Sequence, residues 1–453
     1  MTNTILIFSS RQLCYNSAGY FTDCLGRALA DLGYDIEICN FSDECLPNNA
    51  LPNNAPPNNA LPGDANQKGG VLSEENTASE DHNVENSGSI NDEAGVYDIE
   101  LDEDIMERLM SYEGREFKAI IDFNSKLPRL VLEDGSFYLD NIDGPFFDVL
   151  LDNPLYHHLS LSCPLRNYNI LTIDSDHVDY IKKHYKHIKS ATRITIPGTE
   201  SIKSKGLTFS DRSNAVLFTG TYYDPKEYFD IIQDSDGVKG EYLRSVLGML
   251  LDDPEETIEN ALKETLINDG YDESIADEDI FAKLLNRMFI AEKCMRNHYR
   301  RLLIDALAGS DIPVIIMGSR WFKYPGRNEK NIKIRMPEDM LTSYDVISGH
   351  RLLVDSSPFF KKGLHDRITA GMSNRTIVLS DDSKYKKETL GSVISTYDLR
   401  KLKSRNGQNE IRDQIRELLN NERNYNAMTE EAYTLYKQKY TWHNLASLLS
   451  AML

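Results

Sequence analysis

The chain has 453 residues, 50 basic and 71 acidic, with a net charge of −21 and 40% hydrophobic residues. That length provides for two or three domains, each able to bury a core without disulfides or metals, and the composition excludes collagen-like and wholly disordered chains. The acidic balance argues against nucleic acid as a partner; no apolar run reaches the roughly 18 to 20 residues of a membrane span, and the opening MTNTILIFSS has no basic leader, so the expectation is an unexported, cytoplasmic protein without a transmembrane segment.

Residues 4–9 (TILIFS) predict a buried strand, followed by a turn at 16–19 and a helix with apolar positions Phe21, Leu25, Ala28, Leu29 and Leu32, stopped by Gly33. A second strand spans 35–41. The stretch 43–95 is then set apart by the repeat LPNNA, LPNNA, PPNNA, LPGDA and by charge, since 43–104 holds 15 Asp and Glu against one Lys. It cannot bury enough apolar surface to offset chain ordering, so it reads as a disordered acidic, Asn-Pro-rich insertion, either an expanded surface loop or a docking tether.

Beyond it, a helix near 102–113, strands near 118–123 and 147–151, a helix from about 155, a strand at 169–173, a helix at 176–186 and a strand at 192–196 complete a first alternating unit. Residues 198–213 suit a linker. A second unit opens with the strand 215–220, passes through a long helical stretch at 226–307, and continues with strands at 313–317, 331–335, 351–355, 375–380 and 392–396. Its helices are expected near 338–348, 363–373 and 409–421. Such alternation predicts the α/β class, with two Rossmann-like, doubly wound domains facing a cleft. The expected bounds are 1–200 for a first domain, 214–427 for a second, nucleotide-binding domain with a helical insertion at 226–307, and 428–453 for terminal helices crossing back to the first domain.

Ligands of open parallel sheets sit beyond the strands' carboxyl ends, so the residues following strands are the site candidates. Gly19 stands in the first such turn, although no complete G-x-G-x-x-G is present and a nicotinamide cofactor is disfavoured. Gly220 and Thr221 follow the strand that opens the second unit, and Gly318 ends the strand PVIIM. In the stretch 355–367, which closes on KKGLHDR, Gly363 is expected to open a helix, with His365, Asp366 and Arg367 in its first turn as a diphosphate site; the competing reading has Asp366 charging the helix start and Arg367 pairing with it. In the first unit Asp152 and His157 follow a strand as candidate bases toward an acceptor hydroxyl, or else as a helix cap and a surface histidine. Asp174-Ser-Asp176 and Asp234-Ser-Asp236 spell D-x-D but read better as a cap and an acidic loop. The six cysteines (Cys14, Cys24, Cys39, Cys45, Cys163, Cys294) form no C-x-x-C pair, so no metal site or disulfide framework is expected.

These elements resemble GT-B glycosyltransferases of the CgeB-like spore-maturation and bacterial flagellin-glycosyltransferase type. ITAGMSNRTIVLSD (368–381) is similar to the donor-site helix and strand of many GT-B enzymes. Gly363, His365, Asp366 and Arg367 match a G-x-H-D-R run of the nearer relatives; HYRRLLIDAL and PVIIMGSRW resemble their R-x-x-L-x-x-A-L and G-x-G-W elements, and D-N-P-L-Y-H and Tyr440-Thr441-Trp442 also match. The chain departs from the large retaining GT-B family at its paired glutamates, where Lys361 and Thr369 stand. The resemblance implies a metal-independent enzyme with no cofactor, a nucleotide-diphosphate-sugar donor, and a protein hydroxyl such as that of flagellin, or a surface glycan, as acceptor. A nucleotide-sugar epimerase and a non-catalytic sugar-nucleotide- or protein-binding module remain the alternatives.

Overall fold

The computed structural model describes residues 2–9, 17–41, 103–277 and 279–453; the expected insertion at 43–95 and the turn before Ser17 lie outside them. The strands form two parallel sheets. The first contains β1 (Thr4–Ser9), β2 (Asp35–Asn40), β3 (Ala119–Phe123), β4 (Phe146–Leu150), β5 (Tyr168–Thr172) and β6 (Ser190–Arg193), in the order β2-β1-β3-β4-β5-β6. The second contains β7 (Ser213–Thr219), β8 (Val314–Met317), β9 (Ile332–Arg335), β10 (His350–Val354), β11 (Ile377–Asp381) and β12 (Ser395–Tyr397), in the order β12-β11-β10-β7-β8-β9. Among the described residues no helix is long and apolar enough to cross a membrane.

The apolar runs explain the central strands. Helices cover both faces of a parallel sheet, so its inner strands are apolar throughout; β3, β4, β5 and β11 are buried at every position, and Ile5, Leu6, Ile7 and Phe8 are buried in β1. Registers such as Ile5↔Ile36, Ile5↔Ala119 and Val354↔Phe218 are parallel, as right-handed crossovers require. Strand order reverses between β1 and β3 in one sheet and between β7 and β10 in the other. Each reversal opens a crevice at the carboxyl ends of the strands.

Those carboxyl ends face each other. Asp174, beyond β5, caps the Ser175–His184 helix by accepting from the Asp176 amide at 2.7 Å, and its other oxygen accepts from the Lys362 amide of the second domain at 2.9 Å. Lys362 Nζ lies 2.6 Å from Asp176. Gly363 does not open a helix as expected: it forms a bridge with Asp174, and the helix begins at Asp366. A Cβ on Gly363 would lie 2.0 Å from the Ile173 carbonyl oxygen, so only glycine allows the two domains to meet this closely.

Further contacts join the domains. Thr369 Oγ1 donates to Ile196 O at 2.9 Å, and Asn374 Nδ2 to Thr199 O at 2.8 Å. The Trp442–Ser450 helix packs on the Ser17–Asp31 helix through Leu445, Ala446 and Leu449, with Trp442 against Phe21 at 5.5 Å between rings. Helices of the 225–307 stretch also reach the first domain, where Phe281 stacks on His184 and Asn286 bonds the Tyr180 and Tyr185 hydroxyls.

Replacing Gly363 by Ala forces the seam apart. We expect a loss of about 2 kcal/mol of stability, typical of an overpacked contact, measured by denaturant unfolding; a control Gly→Ala at Gly248, where an added Cβ meets nothing within 4 Å, leaves stability unchanged or higher.

Candidate anion site between the domains

At the second sheet's reversal the chain leaves β7 through Gly220, whose φ of +146° is a backbone state that side chains resist. A Cβ there would sit 3.2 Å from Arg367 Nη2, so the glycine lets the guanidinium lie against the β7 turn. Gly318, beyond β8, serves the same turn from the other side: a Cβ on it would lie 1.9 Å from the Gly220 carbonyl oxygen, which also accepts from Trp321 Nε1 at 2.7 Å. Gly318 therefore makes room for backbone, and Gly220 for Arg367. Thr221 follows, half-buried.

Arg367 is aimed from the opposite lip of the crevice. His365 is the N-cap of the Asp366–Ser373 helix, accepting from the Arg367 amide. Arg367 Nη1 donates to Asp355 Oδ1 at 2.7 Å. Its 2.7 Å ion pair is thus with Asp355, beyond β10, while its charge also acts on Asp366, the partner in the competing sequence reading. Asp366 itself lies beside the His365 imidazole. Burial alone would raise the Asp355 carboxyl, but Arg367, His365 and Lys386 outweigh it and hold it well below the usual carboxylate range. Asp355 also accepts from Ser380 Oγ at 3.3 Å, and Ser380 in turn from Lys386 Nζ at 3.1 Å. Lys386 is fully buried and completes the chain on Asp381 at 3.0 Å.

Two arginines outside the sequence-derived candidates close the site. Arg296 and Arg300 stand one turn apart on the Phe289–Leu307 helix and so project from one face. Arg300 is half-buried and has neither a hydrogen bond nor an ion pair among the described residues; its Nε is buried and unsatisfied. Burial, then Arg367 and Arg296, push its guanidinium well below the usual arginine range. Arg296 is shared more loosely: Nη2 donates to the Tyr156 hydroxyl at 3.1 Å, Nη1 lies 3.8 Å from Asp152 Oδ1, and Nε lies 3.5 Å from Glu292 Oε1. The i, i+4 spacing is visible in the sequence, but nothing in it says which strand ends that helix meets.

From the first domain, Asp152 reaches the same place. It follows β4, accepts from Asn124 Nδ2 at 3.0 Å and is partly exposed. His157, the other candidate base, ends the Pro154–His157 turn and is buried rather than a surface histidine. Gly19 lies in the first turn of the Ser17–Asp31 helix, next to Tyr20, whose ring contacts Tyr344 of the second domain at 5.8 Å. Of the two D-x-D runs, Asp174 and Asp176 belong to the domain seam. Asp234 ends one helix and Asp236 precedes the next.

Arg300, Arg367 and the first turn of a helix thus stand together at the switch point of a doubly wound domain, with a carboxylate opposite, an arrangement whose chemistry suits an anion. No family model matches this chain, and no curated protein does. Among solved structures, the chain aligns with sucrose-phosphate synthase from Thermosynechococcus elongatus over 99% of this chain and 98% of that one, at 8% identity and a TM-score of 0.49. It aligns with a glycosyltransferase from Rickettsia africae ESF-5 over 100% and 97%, at 12% identity and a TM-score of 0.49. TarM matches over 73% of this chain at 10% identity and a TM-score of 0.41, and the chain spans 54% of TarM's length. At such identities a likeness concerns the path of the chain.

Arg300→Gln removes a cation that no carboxylate of the described residues pairs. We expect inorganic diphosphate to bind about tenfold or more weakly by calorimetry, as the loss of a charge-assisted contact implies, while the ligand-free protein melts at the same or a higher temperature.

Proposed function

We propose that this chain transfers a sugar from a nucleotide-diphosphate-sugar to an acceptor hydroxyl, without a metal ion, as a GT-B glycosyltransferase of the type its motifs resemble. Arg300 carries this reading: a cation with no ion-pair partner among the described residues, beside Arg367 and at the strand ends where a Rossmann-like domain receives its ligand, calls for an anion from outside. A diphosphate leaving group has the charge and span to meet Arg300 and Arg367 beside the helix start at His365. Arg367 is fixed by Asp355 before the reaction, so it can stabilise negative charge as it develops on the departing phosphate without reorganising.

Asp152 is then the base. It stands on the opposite domain, with one oxygen held by Asn124, and takes the proton of the acceptor hydroxyl as the sugar's anomeric carbon changes partner. Protein hydroxyls such as those of flagellin, and surface glycans, both fit the reading. Lys361 and Thr369 support no ribose contact of the retaining-family kind, since Lys361 Nζ is bound to the Pro254 and Glu256 carbonyls and Thr369 is buried in the seam.

A panel of nucleotide-sugars tests the reading. We expect one nucleotide class to raise the melting temperature, Arg367→Ala to abolish that shift, and Asp152→Asn to lower kcat by about 100-fold, the scale of a lost general base. Transfer should persist in EDTA. A sugar epimer formed from donor alone, with no acceptor consumed, would overturn the assignment.

A further inference from the structure

Arg296 is the arginine that meets Asp152 across the cleft, and its polar contacts are all long compared with the 2.7 Å bond that fixes Arg367. These three partners come from both domains: Glu292 from its own helix, Tyr156 and Asp152 from the other side. Glu292 is buried, its Oε2 has no hydrogen bond, and burial raises its carboxyl, with the nearby Asp152 adding to the effect. One guanidinium therefore answers two carboxylates, while its neighbour one turn away, Arg300, forms an ion pair with none among the described residues.

We propose that Arg296 is a positioning residue shared between Asp152 and the incoming anion, so that seating a diphosphate at Arg300 draws Arg296 away and releases Asp152. The proposal rests on the reading of the site given above and adds to it a compulsory order, donor before acceptor. An anion at Arg300 lies within reach of Arg296, because residues four apart on a helix are neighbours. Once Arg296 turns toward it, Asp152 loses that positive neighbour while keeping its hydrogen bond from Asn124, and the loss makes it a stronger proton acceptor than before. Before that, Asp152 is engaged by Arg296 and is poorly placed to activate water for stray donor hydrolysis.

Linkage makes the proposal testable without knowing the acceptor. If Asp152 and the anion compete for Arg296, removing the carboxylate must tighten anion binding. With inorganic diphosphate as the probe in calorimetry on the full chain, Asp152→Asn should tighten binding about threefold, the size expected of a partly exposed ion pair, and Glu292→Gln should act in the same direction. In an Arg296→Gln background the Asp152→Asn effect should vanish. Unchanged or weaker binding in Asp152→Asn, or tightening that persists without Arg296, overturns the proposal. Either result is independent of whether any nucleotide-sugar is turned over, so failure here leaves the transfer reading to be judged by its own assay.

Discussion

One constraint organises the cleft: three arginine side chains converge on one space, and among the described residues the carboxylates around it form ion pairs with only two of them. Like charges at short range repel, and partial burial weakens the solvent screening that would relieve this. Arg367 is settled by Asp355 and Arg296 by a divided claim, which leaves Arg300 uncovered. Keeping such a charge lowers the stability of the empty protein. It serves a purpose only if a ligand covers it, which is why the anion reading follows from electrostatics before any likeness to other folds is considered.

That arrangement needs the domains to hold their places. Asp174 and Gly363 set one edge of the cleft by direct backbone contact, and the helices of the 225–307 stretch set another through Phe281 and Asn286. The same stretch continues into the helix that carries Arg296 and Arg300. Docking those helices on the first domain is therefore what delivers the cations to the second domain's switch point, and fold and site cannot be varied separately there.

Much of this is legible in the sequence, for reasons of period and punctuation. Buried parallel strands write themselves as short apolar runs, so TILIFS, NILTI and RTIVLS fall within a residue or two of β1, β5 and β11. Gly220, Asp366 and Arg367 follow strands, and strand ends are where such sheets bind. What sequence does not carry is the partner of each polar group. Gly363 reads as a helix start because the residues after it are helical, yet its role is set by Ile173, almost 200 residues away. His157 reads as exposed because two histidines in a row suggest a polar surface, while the turn at Pro154 folds it inward. Arg296 is hidden among the many charges of a long helical region, and Arg300, although it opens the R-x-x-L-x-x-A-L run, carries no sign there of the strand ends it meets.

The three arginines also differ in how firmly they are held, and the difference follows from what lies behind each. Arg367 is backed by a buried chain running through Asp355, Ser380 and Lys386 to Asp381. A buried network of this kind gives little net stability, because desolvation of its charges offsets most of their attraction; its value lies in fixing one geometry. Arg300 has no such backing among the described residues and, in the function proposed above, meets its partner in a ligand. Arg296 lies between these cases, with loose contacts to both domains. A rigid cation suits a group that must meet charge at one place during bond breaking, an uncovered one suits capture, and a shared one suits communication across the cleft. The grading is what a site needs if it is to bind an anion first, orient it second, and only then expose a base to the partner that reacts with it.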